Sequence, residues 1–307
     1  MKPSETVKES ISLYEFFEKF PDEAAAVKYV EARRWPDGVA CPKCGSPSVS
    51  AVKSGKPMPW RCRDCRKHFS VRTGTVFAES KLGIHKWLMA AYLMTTARKG
   101  ISSVQLAKEV GVTQKTAWFL EHRIREAMTS RGGLLGNTVE VDETYVGGKE
   151  KNKHASKREN AGGGTGGKQA VVGMKERGGE VRAFPVDTTE REELQAAVEG
   201  NVERGSNVYT DGNMSYRGLP GYDHAFVRHS AGEYVRGAVH TNGIESFWSL
   251  LKRGYIGVFH YMSIKHLFRY VNEFAGRENA GHNTMAGIDR IIAGAEGRRL
   301  TYERLIS

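Results

Sequence analysis

Two kinds of hydrophobic patterning divide the chain. Through residues 81–130 the apolar positions, among them Trp87, Leu88, Ala91, Tyr92 and Met94, recur at helical spacing. Upstream, residues 11–34 predict two short helices. Ser12 and Glu15 match a capping box, and Asp22 can cap the second helix after Pro21. From residue 138 the pattern turns to the short period of strands. Thr138–Val146, Gln169–Lys175, Val181–Val186, Ser206–Asp211 and Ala225–His229 read as strands, and Thr189–Val202, Thr241–Gly254 and 263–279 as helices. Strands interleaved with helices predict an α/β layer with a mixed sheet. No internal repeat is visible.

Within the helical stretch, Ser102–Trp118 has the layout of a helix-turn-helix: a short helix, a Gly turn at Gly111, and a second helix that Thr113 can cap. In that arrangement Gln114, Lys115 and Arg123 are expected to face a DNA major groove. Between the first two strands, Lys149–Lys168 is rich in Lys and Gly and reads as a mobile hairpin insertion. It ends in Gly162-Gly163-Gly164-Thr165-Gly166-Gly167-Lys168-Gln169, close to a phosphate-binding loop. Gln169 replaces the required hydroxyl residue, and the segment leads into a strand rather than a helix, so an ATPase is rejected.

Composition adds a partner. The 307 residues carry a formal charge of +11 and a pI near 9.4, which favours a polyanion, nucleic acid or an anionic membrane surface. No apolar run is long enough to span a bilayer, and no signal core follows Met1-Lys2-Pro3-Ser4-Glu5. A cytoplasmic protein without a membrane partner is expected.

All four cysteines fall between residues 41 and 65, as Cys41-Pro42-Lys43-Cys44 and Cys62-Arg63-Asp64-Cys65. Their spacing is that of a structural four-thiolate zinc ribbon, with no open position for catalysis. Gly45 can supply the positive φ that such a knuckle often needs. Paired redox motifs would need a thioredoxin-like frame, which is missing. Residues 41–72 hold eight Lys and Arg against Asp64 alone, with Trp60, His68 and Phe69 offered as stacking surfaces, so DNA or RNA contact is expected.

Three acids stand where a sheet can gather them. Asp142 lies in the first strand, Asp211 ends the fourth, and Glu245 opens a late helix. Carboxylates suit Mg²⁺, and a pair of such ions can activate a water or a 3′-hydroxyl. Asp142 and Glu143 should point to opposite strand faces, leaving one of them as a ligand. On the late helix Ile244, Phe247, Trp248 and Leu251 form an apolar stripe, and Asn242, Glu245, Ser249 and Lys252 a polar one. Lys252, two turns from Glu245, is placed to hold a DNA phosphate.

Together these residues resemble the IS1595 family of transposases, the ISXO2-like group. The ribbon block Arg34–Gly45, the strand block Val141–Lys149, Tyr209-Thr210-Asp211, and His240–Gly254 carry the resemblance, which runs from about 15 to 280. It implies an α/β, RNase H-like mixed-sheet catalytic domain at 136–282, preceded by N-terminal helices and a zinc ribbon at 11–78 and a helix-turn-helix-like region at 79–132. A tail at 283–307 completes the expected layout. The implied function is metal-dependent cleavage at the element's terminal inverted repeats and transfer of the freed 3′-hydroxyl into target DNA. Asp142, Asp211 and Glu245 would hold Mg²⁺ or Mn²⁺, with Lys252 as the associated base and Cys41, Cys44, Cys62 and Cys65 on structural Zn²⁺. Both Asn242 and Glu245 are available at the third position; Glu245 fits better by charge and by its seven-residue step to Lys252. The protein is expected to assemble on DNA as a homo-oligomer, in the nucleoid. The alternatives are a non-catalytic zinc-ribbon regulator and a nuclease without strand transfer.

Overall fold

A computed structural model describes residues 10–130, 132–148, 154, 156, 165–281 and 283–307. Most of the Lys- and Gly-rich insertion, including the start of its phosphate-loop look-alike, lies outside the described residues, as do Met1–Glu5. The chain forms two compact units. One holds the described residues up to Ala97 together with Ile101–Thr129 and Ala280–Ser307, and the other holds Arg98–Gly100 and Ser130–Asn279. Among the described residues no helix is long and apolar enough to cross a membrane.

The first unit opens with α1 (Leu13–Lys19) and α2 (Glu23–Arg34). Ser12 and Glu15 exchange side-chain and backbone bonds as a full capping box, and the Asp22 carboxylate accepts from the Ala25 N–H. Caps of this kind contribute about 1 kcal/mol each. A small antiparallel sheet follows, β1 (Val49–Ala51), β2 (Trp60–Cys62) and β3 (His68–Phe69). Phe69, expected as a stacking surface, is instead fully buried and packs edge-on to Trp35. Trp60 donates its indole N–H to Glu31 at 2.9 Å. A module this small has few side chains with which to build an interior, and Phe69 is one of them.

Next come α3 (Ile84–Thr96), α4 (Ser103–Val110) and α5 (Gln114–Ala127). Gly111 takes a left-handed φ of 66° between α4 and α5, and Thr113 caps α5 as expected. Arg123 does not face a groove. It is buried, donates to the Ala78 carbonyl at 2.6 Å and lies over the rings of Trp87 and Phe119. Its position on α5 falls on the face that also buries Leu120 and Ala127, and helical spacing leaves it no route to solvent. Gln114 and Lys115, one turn or more upstream, are exposed.

The second unit is built on β4 (Thr138–Val146), β5 (Gln169–Glu176), β6 (Val181–Val186), α6 (Arg191–Glu199), β7 (Asn207–Thr210), β8 (Asp223–Phe226), α7 (Asn242–Gly254) and α8 (Ile264–Asn279). Its five-stranded sheet has the order β6-β5-β4-β7-β8. β4, β5 and β6 form an antiparallel meander, while β7 and β8 join parallel to β4. This is the mixed α/β layer of the expected RNase H-like class. Strand alternation serves both faces. Val139, Val141 and Val172 pack with Leu194 and Val198 on one side, and Val171 and Ala183 with Ile244, Phe247, Leu251 and Phe274 on the other.

The segment expected to be a tail is structured. α9 (Thr284–Gly294) and α10 (Tyr302–Ile306) belong to the first unit. Ile288, Ile291 and Ile292 of α9 are buried in the core that holds Trp87 and Leu88. Gly287 and Gly294 permit the approach, since a Cβ at Gly294 would lie only 1.9 Å from the Ala127 carbonyl oxygen.

Candidate metal centres

In the ribbon the two Cys-x-x-Cys turns repeat one geometry. The Cys41 N–H donates to the Ser46 carbonyl and the Cys62 N–H to that of Lys67. Gly45 and Arg66, each following a second cysteine, both have positive φ, 74° and 59°. The four sulfurs converge: Cys41 and Cys65 are 3.6 Å apart, as are Cys44 and Cys62. A tetrahedral Zn²⁺ with Zn–S bonds of about 2.3 Å needs sulfur separations of about 3.8 Å, so the four fit one ion. Backbone N–H groups of Cys65 and Asp64 donate to the Cys62 sulfur and lower its thiol, while desolvation and bonds from the other three thiols raise Cys44.

The second cluster is assembled from separate elements. Asp142 and Glu143 sit on β4, and Asp211 stands one residue past β7. One carboxylate oxygen from each can be chosen so that all three lie within 4.8 Å of one another. Asp142 and Glu143 were expected to point to opposite strand faces, leaving only one of them to reach the cluster. The sheet explains why both reach the cluster. β7 pairs with β4 over Thr138–Glu140 alone, so among the described residues Val141–Val146 have no neighbour strand on that side. Side chains from both faces can turn around this open edge to meet Asp211.

Each member is held. Asp142 stands opposite Gly173 of β5, where a Cβ would fall 2.5 Å from the Trp248 ring. The missing side chain leaves room for Trp248 to lie against the sheet and donate its indole N–H to Asp142 Oδ2 at 3.0 Å. Glu143 accepts from the Asn213 amide and from the Tyr216 hydroxyl at 2.8 Å. Asp211 accepts from the Asn213 N–H at 2.9 Å. Burial, then the charges of Glu143 and Asp211 and more weakly that of Glu245, push Asp142 up to about 8. Burial also raises Glu143, against the opposing bonds from Tyr216 and Asn213. Such crowding of acids is what a divalent cation relieves, and three carboxylates form an all-oxygen donor set that suits Mg²⁺ or Mn²⁺.

Glu245 lies outside this threesome, though close enough to raise Asp142. Its Oε1 accepts from the Thr241 hydroxyl at 2.6 Å and is 3.6 Å from His229 Nε2. Asn242, the other residue available at the third position, is exposed as the first residue of α7. The helix start is capped from the sheet. Buried Glu140 accepts from the Gly243 and Ile244 N–H groups at 2.7 and 3.1 Å and pairs with Arg177 at 2.8 Å. A carboxylate at a helix N-terminus is favoured by charge as well as bonding. Gly243 is required there, since its Cβ would stand 2.7 Å from the Glu140 carboxylate. Lys252 is exposed near the end of α7, as its stripe predicts. Sequence reasoning thus missed Glu143, Glu140, Gly173 and the polar role of Trp248. Adjacency to Asp142 was the available signal for Glu143; for the others the register between strands was needed.

A family model described as the ISXO2-like transposase domain matches residues 133–279, and a transposase zinc-ribbon domain matches residues 21–68. A protein in transposable element ISH50 of Halobacterium salinarum, itself uncharacterized, is 33% identical over 248 residues, covering 76% of this chain and 83% of that protein. The chain belongs to the ISXO2-like transposase family. Both candidate metal clusters fall within the matched domains, the cysteines in the zinc ribbon and the carboxylates in the transposase domain.

Proposed function

We propose that this family member is an active, metal-dependent DNA transposase that cuts at the ends of its element and joins the freed 3′-hydroxyl to target DNA. The meeting of Asp142, Glu143 and Asp211 within 4.8 Å carries the reading. Asp142 and Asp211 would hold Mg²⁺ or Mn²⁺, with Glu245 contributing from α7 and Glu143 keeping Asp211's turn in place through Asn213. Bound there, the cation supplies Lewis acidity that activates the attacking oxygen and neutralises charge on the scissile phosphate. Lys252 holds a flanking phosphate. In the first step water breaks the P–O3′ bond and leaves a 3′-hydroxyl. In the second that hydroxyl displaces a target 3′-oxygen, and one phosphodiester is exchanged for another. The ribbon, with Cys41, Cys44, Cys62 and Cys65 on Zn²⁺, and the exposed start of α5 contact the terminal repeats. Two ends must be cut together, so the protein acts as a homo-oligomer on DNA, in the cytoplasm at the nucleoid.

The test is incubation of full-length protein with Mg²⁺, a labelled duplex bearing the element's end, and target plasmid. Nicked ends together with end–plasmid joined products are expected. Binding with no cut would make the protein a regulator; cutting with no joined product would make it a nuclease.

A further inference from the structure

A cavity opens further along the two elements that carry Glu143 and Glu245. Past Glu143, β4 continues through Tyr145 to Val146. Past Glu245, α7 continues to Lys252 and Tyr255. Val146, Gly148, Lys168, Lys252, Tyr255 and Ile256 help line a cavity of about 560 Å³. This is within the range of roughly 300–1,000 Å³ typical of small-molecule sites, and too small for a duplex. From Glu143 to Val146 the strand advances roughly 10 Å at about 3.4 Å per residue, a distance of one or two nucleotides along an unstacked strand.

We propose that this cavity receives one unpaired base of the DNA strand beside the scissile phosphate; the inference rests on the cleavage reading above. Apolar and aromatic side chains offer the base a stacking surface that needs no particular sequence. Two lysines in the lining answer the charge of the backbone that must accompany it. The chain that follows supplies a wedge. Ile256 lines the cavity and is 69% exposed, and Tyr261 and Ile264, which follow it in the chain, are 71% and 65% exposed. Side chains of this type enter between base pairs and open the stack. A base drawn out of the helix lets the scissile phosphate approach carboxylates recessed at the sheet edge, which an intact duplex meets less easily.

The experiment compares cleavage rates of wild type, Tyr255→Ala and Ile256→Ala on four end duplexes in Mg²⁺. One is intact, and the others carry an abasic site one, two or six nucleotides from the scissile phosphate. On the intact end Tyr255→Ala should be roughly tenfold slower or more, the loss expected for one stacked base, and Ile256→Ala several-fold slower. With the base removed at the pocket position, one or two nucleotides away, both variants should match wild type, and the site six nucleotides away should restore nothing. Wild type alone should also cut faster when a mismatch loosens that pocket position. Wild type that leaves every end uncut overturns the cleavage reading, and this proposal with it. Wild type that cuts, with a variant deficit equal on all four duplexes or no deficit at all, overturns the pocket alone.

Discussion

The two candidate metal sites differ in what holds their side chains in place. The ribbon has three strands of three, three and two residues, and its fully buried apolar interior beyond the cysteines is Phe69, with partial cover from Trp35, Val39, Val49 and Trp60. The carboxylates sit on a five-stranded sheet with packed cores on both faces and a lattice of bonds from Trp248, Asn213 and Tyr216. In the first case the metal supplies the fold. In the second the fold exists already, and it holds like charges together at a cost that a bound cation would remove. A lost ligand should therefore unfold the ribbon but leave the sheet standing and inactive.

The largest effect is expected at the cysteines. Structural zinc supplies about 10–16 kcal/mol of binding free energy in small modules of this kind. Cys44→Ser should take the bound zinc from one per chain to none, erase the dispersed amide signals of β1–β3 and abolish end binding, while β4 and β5 keep their hydrogen-exchange protection. Zinc lost with DNA affinity unchanged would separate the ribbon from recognition.

Next in size is the choice of acids at the proposed cation site. Glu245→Gln should slow cleavage by at least about a hundredfold, since removing one charged contact to a catalytic cation costs several kcal/mol. Both oxygens of Glu143 already accept bonds from Asn213 and Tyr216, so Glu143→Gln should cost less, and Asn242→Ala less again. Cleavage that survives Glu245→Gln but dies in Glu143→Gln would move the third ligand from α7 to β4.

This ordering also shows what the sequence makes legible. Cysteine spacing is local, so the ribbon is readable from residues 41–65 alone, and the Ser12 and Asp22 caps, the strand β4 and the apolar stripe of α7 all fall where local pattern places them. Contacts set by topology are not local. That Glu143 joins Asp142 depends on where β7 ends. That Trp248 reaches Asp142 depends on Gly173 being its opposite number, and the cap of α7 lies about a hundred residues upstream at Glu140. Arg123 reads as a groove residue because charge suggests exposure, but the Ala78 carbonyl and two aromatic rings make burial possible. Residues 283–307 read as a tail because the apolar face of α9 has no partner nearby in sequence; its partners are in α2, α3 and α5.

Smaller effects probe how the sheet holds Asp142. Gly173→Ala places a Cβ 2.5 Å from the Trp248 ring. It should lower stability by about 1–3 kcal/mol, as overpacking does, and reduce cleavage by displacing the indole. Trp248→Phe should cost about 1 kcal/mol for the lost bond to Asp142 Oδ2. Equal melting temperatures for wild type and Gly173→Ala would contradict the close packing.

Asp142 is raised to about 8 in the folded, metal-free protein, above its ordinary value near 3.8. Its contribution to stability is therefore fully present at low pH and is lost as pH rises through about 8. Divalent metal, which binds the ionised form, should raise the melting temperature more at pH 8.5 than at pH 6, and Asp142→Asn should flatten that difference. A metal effect independent of pH would argue that Asp142 is not the titrating ligand.

The central claim is that the sheet's acids do chemistry and not recognition. It is tested most directly by measuring end binding and Mg²⁺-dependent cleavage on the same complexes of wild type and Asp142→Asn. The substitution removes one ligand charge and almost no volume. Binding should stay within about twofold, while cleavage falls by about a thousandfold or more, as loss of a cation's several kcal/mol of transition-state stabilisation requires. Cleavage persisting at more than a few per cent of wild type, or binding and cleavage lost in equal measure, would contradict it.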